Sequence, residues 1–156
     1  MKLVRIFILL LLFTSVVAAE DYGSYNYIYI GDGFSVECPI NINIEQKAEA
    51  GFFIYSFNYN DQPILKAYSG LEPDLKKVEN KNYLTEDGSI NSCPCHSNIL
   101  IEPNGNISGQ VVISIMHAQE LHTYLQYWYE HLTTSQLNLA NQIINSTKPY
   151  ISAEVL

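Results

Sequence analysis

Cys93-Pro94-Cys95-His96 puts three soft ligands within four residues, and Cys38, His117 or His122 could complete a shell around a thiophilic ion such as copper(I) or zinc. The spacing is neither the two-residue gap of zinc knuckles nor the Cys-x-x-Cys-His of haem attachment. The same cysteines have a second use in an oxidising compartment. There Cys38 pairs with Cys93 or Cys95 and closes a long loop, which stabilises the fold by about 4 kcal/mol in the chain-entropy model. With 3 cysteines in the chain, one bridge leaves a thiol over, free to join another chain; three unpaired thiols are the remaining state.

Nucleophilic catalysis needs a Ser or Cys, a base and an orienting acid. Cys95 beside His96 supplies two of the types, but sequence neighbours rarely face one another. Tyr68-Ser69-Gly70 lacks the first glycine of a nucleophile elbow, and Gly31-Asp32-Gly33 links two strands and does not open a helix that could cradle phosphate. His117, His122 and His131 read as surface or hydrogen-bonded histidines, and the 16 carboxylates are scattered, so no acid–base pair can be named. No catalytic residue is assigned. Function leans away from an enzyme, with copper or zinc at the cysteine cluster as the alternative.

The elements that must carry these residues are mostly strands. Tyr25–Ile30 and Phe34–Cys38 flank Gly31-Asp32-Gly33 as an opening hairpin, and Ile40, Ile42 and Ile44 alternate with Asn41 and Asn43. A second hairpin joins Phe52–Tyr59 to Ile64–Ser69 through Asn60-Asp61-Gln62-Pro63. A third joins Asn98–Glu102 to Gln110–Met116 through Pro103-Asn104-Gly105-Asn106. Between them, residues 70–97 read as a long irregular excursion.

Residues 121–132 keep helical spacing of Leu121, Leu125, Trp128 and Leu132 yet are rich in strand-forming aromatics. The boundary decides: Thr133 with Gln136 forms a capping box, and Leu132 with Leu137 its hydrophobic staple. A strand over Tyr124–Tyr129, with Trp128 as a core ring, therefore precedes a helix from Thr134 to Ser146 that buries Ala140, Ile143 and Ile144. The fold class is α+β: an antiparallel sheet of about six or seven hairpin-built strands with one C-terminal helix packed on it.

Lys2 and Arg5, the apolar run Ile6–Phe13 and the small residues Val17-Ala18-Ala19 have the pattern of a cleaved signal peptide over residues 1–19. The apolar stretch is too short to stay in a membrane, so residues 20–156 are expected as one exported domain, periplasmic or extracellular. Losing Lys2 and Arg5 leaves 6 basic residues against 16 acidic ones, a charge of −10, with no arginine. Nucleic acid, nucleotides and anionic lipid are disfavoured as partners. Twelve tyrosines raise two readings for Tyr25, Tyr27 and Tyr29: core packing, or an amphipathic contact row. Asn106-Ile107-Ser108 and Asn145-Ser146-Thr147 match the glycosylation acceptor, which matters only in a eukaryotic host.

Phe34-Ser35-Val36 before Pro39, then Ile64-Leu65-Lys66-Ala67-Tyr68-Ser69-Gly70, then Tyr127-Trp128-Tyr129 ahead of Leu139-Ala140-Asn141-Gln142-Ile143-Ile144-Asn145-Ser146, resemble small exported bacterial proteins of unknown function. The element order is similar to the PsbP-like sandwich. That resemblance implies a strand-rich domain closed by a helix, in a bacterial setting, and transfers no site residue. The expectation is a protein-interaction module that meets an unidentified protein partner through an exposed strand edge or the excursion.

Overall fold

The computed structural model describes residues 26–72, 83–116 and 122–150; residues 1–19, read above as a signal peptide, and Tyr25, Pro73, Lys76, Lys77, His117 and Leu121 lie outside them. The described residues form ten strands and one helix: β1 Asn26–Ile30, β2 Phe34–Pro39, β3 Ile42–Glu49, β4 Phe52–Tyr59, β5 Gln62–Gly70, β6 Leu84–Ile90, β7 Cys93–Ile101, β8 Ile107–Met116, β9 His122–Leu132, α1 Thr134–Asn145 and β10 Lys148–Pro149. A seven-stranded antiparallel sheet runs β3-β4-β5-β9-β8-β7-β6, and a small sheet runs β1-β2-β10. The antiparallel sheet with a C-terminal helix is as expected. The strand count is higher, because the supposed excursion contains β6 and most of β7.

A two-residue turn, Asn91-Ser92, joins β6 to β7, with φ of 47° and 69°. Two successive positive φ values are the type I′ geometry whose twist matches a hairpin. Asn60-Asp61, at 50° and 61°, makes the same turn between β4 and β5. Ser92 is a poor cue for such a turn, and the docking of its neighbour compensates: Asn91 Nδ2 donates to the Asn145 and Thr147 carbonyls at 3.1 and 2.6 Å. Those acceptors stand at the end of α1, where helix carbonyls lack internal partners.

Strand pleating sends alternate side chains to opposite faces. Tyr55 and Phe57 of β4, Leu65 and Ala67 of β5, Leu125 and Tyr127 of β9, and Val111, Ile113 and Ile115 of β8 share the inner face and are buried. Phe34, Val36 and Cys38 of β2 and Leu139, Ala140, Ile143 and Ile144 of α1 close over them. The capping box is formed, with Thr133 Oγ1 accepting from the Gln136 N–H and the Gln136 side chain accepting from the Thr133 N–H. Trp128 departs from expectation: it falls on the other face of β9, opposite Lys66 of β5, and is only half-buried.

Tyrosine hydroxyls join the layers. The Asp32 N–H donates to the Tyr55 hydroxyl at 2.9 Å and Ser69 Oγ donates to the Asp32 carbonyl at 2.9 Å, pinning the β1–β2 turn to the large sheet. Tyr27 donates to the Ile42 carbonyl at 2.7 Å, and the Tyr127 hydroxyl meets Thr147 Oγ1 at 2.9 Å. Tyr27 and Tyr29 thus pack inward against the core, while Tyr25 of that row lies outside the described residues. Tyr55→Phe keeps the ring and removes the acceptor of the part-buried Asp32 N–H bond, so it is expected to cost about 0.5–1.5 kcal/mol in urea unfolding with an unchanged m value. Tyr29→Phe, which removes an exposed bond to Gln46, should stay within about 0.5 kcal/mol. Equal costs at the two sites would contradict the pinning role.

Candidate functional site

β7 carries the cysteine cluster, and its pleat divides it. Cys95 lies opposite Gly88 and Ile113 on the inner face, with Cys93 two residues away on the same side. His96 points to the outer face, where its Nδ1 meets Oδ1 of its cross-strand partner Asp87 at 2.6 Å. Three residues adjacent in sequence therefore do not converge, and among the described residues no group of three His, Cys, Asp or Glu side chains is placed to hold a metal. The bridge expected from Cys38 to Cys93 or Cys95 is not formed either: all three are free thiols. Cys38 sits in the core on β2, where burial pushes its thiol up to about 12; burial also raises Cys93 and Cys95.

A different constellation forms where β8 and β9 slip register. Ile107 pairs with Leu132 and Gly109 with Tyr129, so Glu130 and His131 together oppose Ser108. That is a β-bulge, a device that re-aims side chains. His131 takes φ of 56°, the left-handed conformation a glycine usually fills at such a position. Hydrogen bonds hold it there: its N–H donates to Ser108 Oγ at 2.9 Å, its Nδ1 meets the Glu102 carboxylate at 2.8 Å, and Ser108 Oγ donates to the same carboxylate at 2.5 Å. Gly109 is needed beside this bulge, since a Cβ there would stand 2.7 Å from the Tyr129 hydroxyl and from the Asn98 carbonyl.

Serine, carboxylate and imidazole thus meet, but in the wrong order for a relay. In a serine hydrolase the imidazole stands between acid and nucleophile. Here the carboxylate is central, the Ser108 proton already goes to Glu102, and the ring is anchored by Nδ1. What the arrangement leaves is an oriented imidazole beside a shallow pocket of about 210 Å³, lined by Pro63, Lys66, Trp128, Glu130 and His131 above buried Ile64, Leu65 and Tyr129. The Ser108 and His131 hydrogen bonds hold the Glu102 carboxyl below its ordinary value, and Glu102 in turn raises His131. Thr133 and the helix cap follow directly, so the bulge sits at the strand-to-helix junction.

The sheet edges differ in chemistry. β3 carries Glu45, Lys47 and Glu49, and β6 carries Glu86 and Asp87. β1 has the sequence Asn-Tyr-Ile-Tyr-Ile and no charge, with Ile28 69% and Ile30 50% exposed. No helix among the described residues is long and apolar enough to cross a membrane.

No protein family and no curated protein matches the chain. Among solved structures it is similar to one from Bacteroides thetaiotaomicron VPI-5482, a crystal structure at 1.50 Å resolution, with 12% identity and a TM-score of 0.46. The match covers 81% of this chain and 48% of that one, so the chain spans about half the length of that structure.

Two outcomes follow from the titratable groups. Under native conditions an alkylating reagent should label half-exposed Cys95 first and Cys38 only on unfolding; rapid labelling of Cys38 would contradict its place in the core. The Glu102–His131 pair should stabilise the fold most between pH 4.5 and 6.5, the ordinary carboxylate and imidazole values. Its contribution fades as pH falls through the depressed carboxyl value and as pH rises through the raised imidazole value. His131→Asn, which tolerates the left-handed backbone, should flatten that pH dependence of the denaturation midpoint. An unchanged profile would show that the pair is not coupled to folding.

Proposed function

We propose that the protein is an exported, non-enzymatic binding module that receives an extended segment of a partner protein along β1. Strand edges present unpaired N–H and C=O groups, and soluble proteins blunt them with charge, shortness or cover. Glu45, Lys47 and Glu49 blunt β3, Glu86 and Asp87 blunt β6, and β10 is two residues long. The observation that carries the reading is the exception: among the described residues β1 is an uncharged edge whose Ile28 and Ile30 face solvent.

Adding a strand there supplies main-chain hydrogen bonds for affinity, while Ile28 and Ile30 select apolar residues at alternate positions. The surrounding charge selects basic flanks, since the chain carries −8 overall and −10 without its leader. The thiol or metal alternative gains nothing from β7, because its pleat separates His96 from the cysteines.

The test uses the full mature chain as bait in the native envelope fraction, with Ile28→Lys as its paired control. A specific partner should be retained by the native chain and lost with Ile28→Lys, whose melting temperature should be unchanged because the side chain is exposed. The bound partner should also slow hydrogen exchange at the β1 amides. Equal retention by both baits, or protection elsewhere with β1 still exchanging freely, would overturn the proposal.

A further inference from the structure

We propose that the pocket beside the β9 bulge is a binding site for a single sugar ring, separate from the strand edge above. Three observations meet there. Trp128, the chain's one tryptophan, is half-buried on the outer face of the sheet and lines the pocket, while the core is filled by other residues. His131 keeps a left-handed backbone conformation, and strain of that kind persists where surrounding structure over-determines it and clusters at ligand sites. Glu102 takes the Nδ1 side of the imidazole, which leaves Nε2 as the ring's other polar position, and His131 is one of the pocket's lining residues.

The chemistry of the wall sets the ligand class. Lys66 offers donors only, Glu130 acceptors only, and the imidazole of His131 either according to its protonation. A carboxylate or phosphate ligand would meet Glu130, and an amine would meet Lys66. A neutral ring with several hydroxyls, each both donor and acceptor, suits all three groups. Its C–H face suits the negative π face of Trp128, and Pro63 adds a further apolar edge. The volume of about 210 Å³ falls below the range of about 300–1,000 Å³ of pockets that enclose drug-sized ligands, so one ring or the end of a glycan fits and a long oligosaccharide does not.

Trp128 is its own reporter, because all indole emission comes from this pocket. The full mature chain is titrated with the methyl glycosides of glucose, galactose and N-acetylglucosamine, and with benzoate as the anionic competitor, while Trp128 emission is followed. At least one glycoside should give a saturable change, and its affinity should fall at least about tenfold in both Lys66→Gln and His131→Asn, each of which shortens the side chain and withdraws its hydrogen-bonding atoms from the ligand. Far-ultraviolet circular dichroism checks that both variants fold, and Lys66→Gln at an exposed position serves if His131→Asn does not. Three results overturn the proposal: no glycoside saturates, benzoate binds in place of the glycosides, or the variants bind as the native chain does. Loss of β1 binding through Ile28→Lys should leave the titration unchanged, so failure of one reading does not decide the other.

Discussion

A tyrosine ring in a core brings a hydroxyl that must find a partner, and much of this structure is organised around that requirement. Burying a large side chain contributes about 1.5–3 kcal/mol, and an unpaired buried polar group costs about as much, so the rings stabilise only where their hydroxyls are bonded. Tyr55 is fully buried, edge-on to Phe34 with centroids 5.1 Å apart, and its hydroxyl accepts the N–H of Asp32 in the β1–β2 turn. Burial pushes its ionisation up to about 12, which keeps it a neutral phenol across the working range. Tyr127 does the equivalent at the far end of α1 through Thr147. The small sheet and the helix exit are each bonded to the large sheet through phenols, which explains an aromatic content that packing alone would satisfy with phenylalanine.

The bulge shows how a local irregularity becomes a site. One extra residue in β9 leaves Ser108 facing two partners, and the spare hydrogen-bonding capacity is absorbed by Glu102. The same displacement rotates His131 out of the strand alternation, and Gly109 clears space for the Tyr129 hydroxyl beside it. Directly beyond, Thr133 caps α1, so the bulge, the pocket wall and the helix start stand next to one another at the strand-to-helix junction.

Legibility in the sequence followed the range of the deciding interaction. The Thr133–Gln136 box is local, and with it the helix and the end of β9 were readable from residue types. The hairpins around residues 31–33, 60–61 and 103–106 were readable because their turns use glycine, asparagine and aspartate. β6 and the first half of β7 were not, since Asn91-Ser92 puts a serine at the second position of a type I′ turn and is held by carbonyls more than fifty residues away. Trp128 was misplaced because β9 has aromatic residues on both faces and its alternation cannot be phased without β5 and β8. The grouping of Ser108, Glu102 and His131 depends on a bulge between strands, and the histidine alone offered no signal for it.

Cys93-Pro94-Cys95-His96 illustrates the limit of spacing as evidence for a ligand set. Adjacent donors can close on one ion when the chain between them turns, as in a knuckle. On an extended strand successive side chains diverge to opposite faces, and only every second residue shares a surface. Pro94 is compatible with the strand because at that position β7 pairs only with β6, the register with β8 starting at Cys95. Once β7 is extended, His96 must leave the cysteines for Asp87, and the inner face takes thiols as small apolar groups. Whether a Cys-rich tetrad is a metal centre or a piece of sheet is therefore decided by the strands on either side of it, and here Gly88 and Ile113 flank Cys95 across β6 and β8.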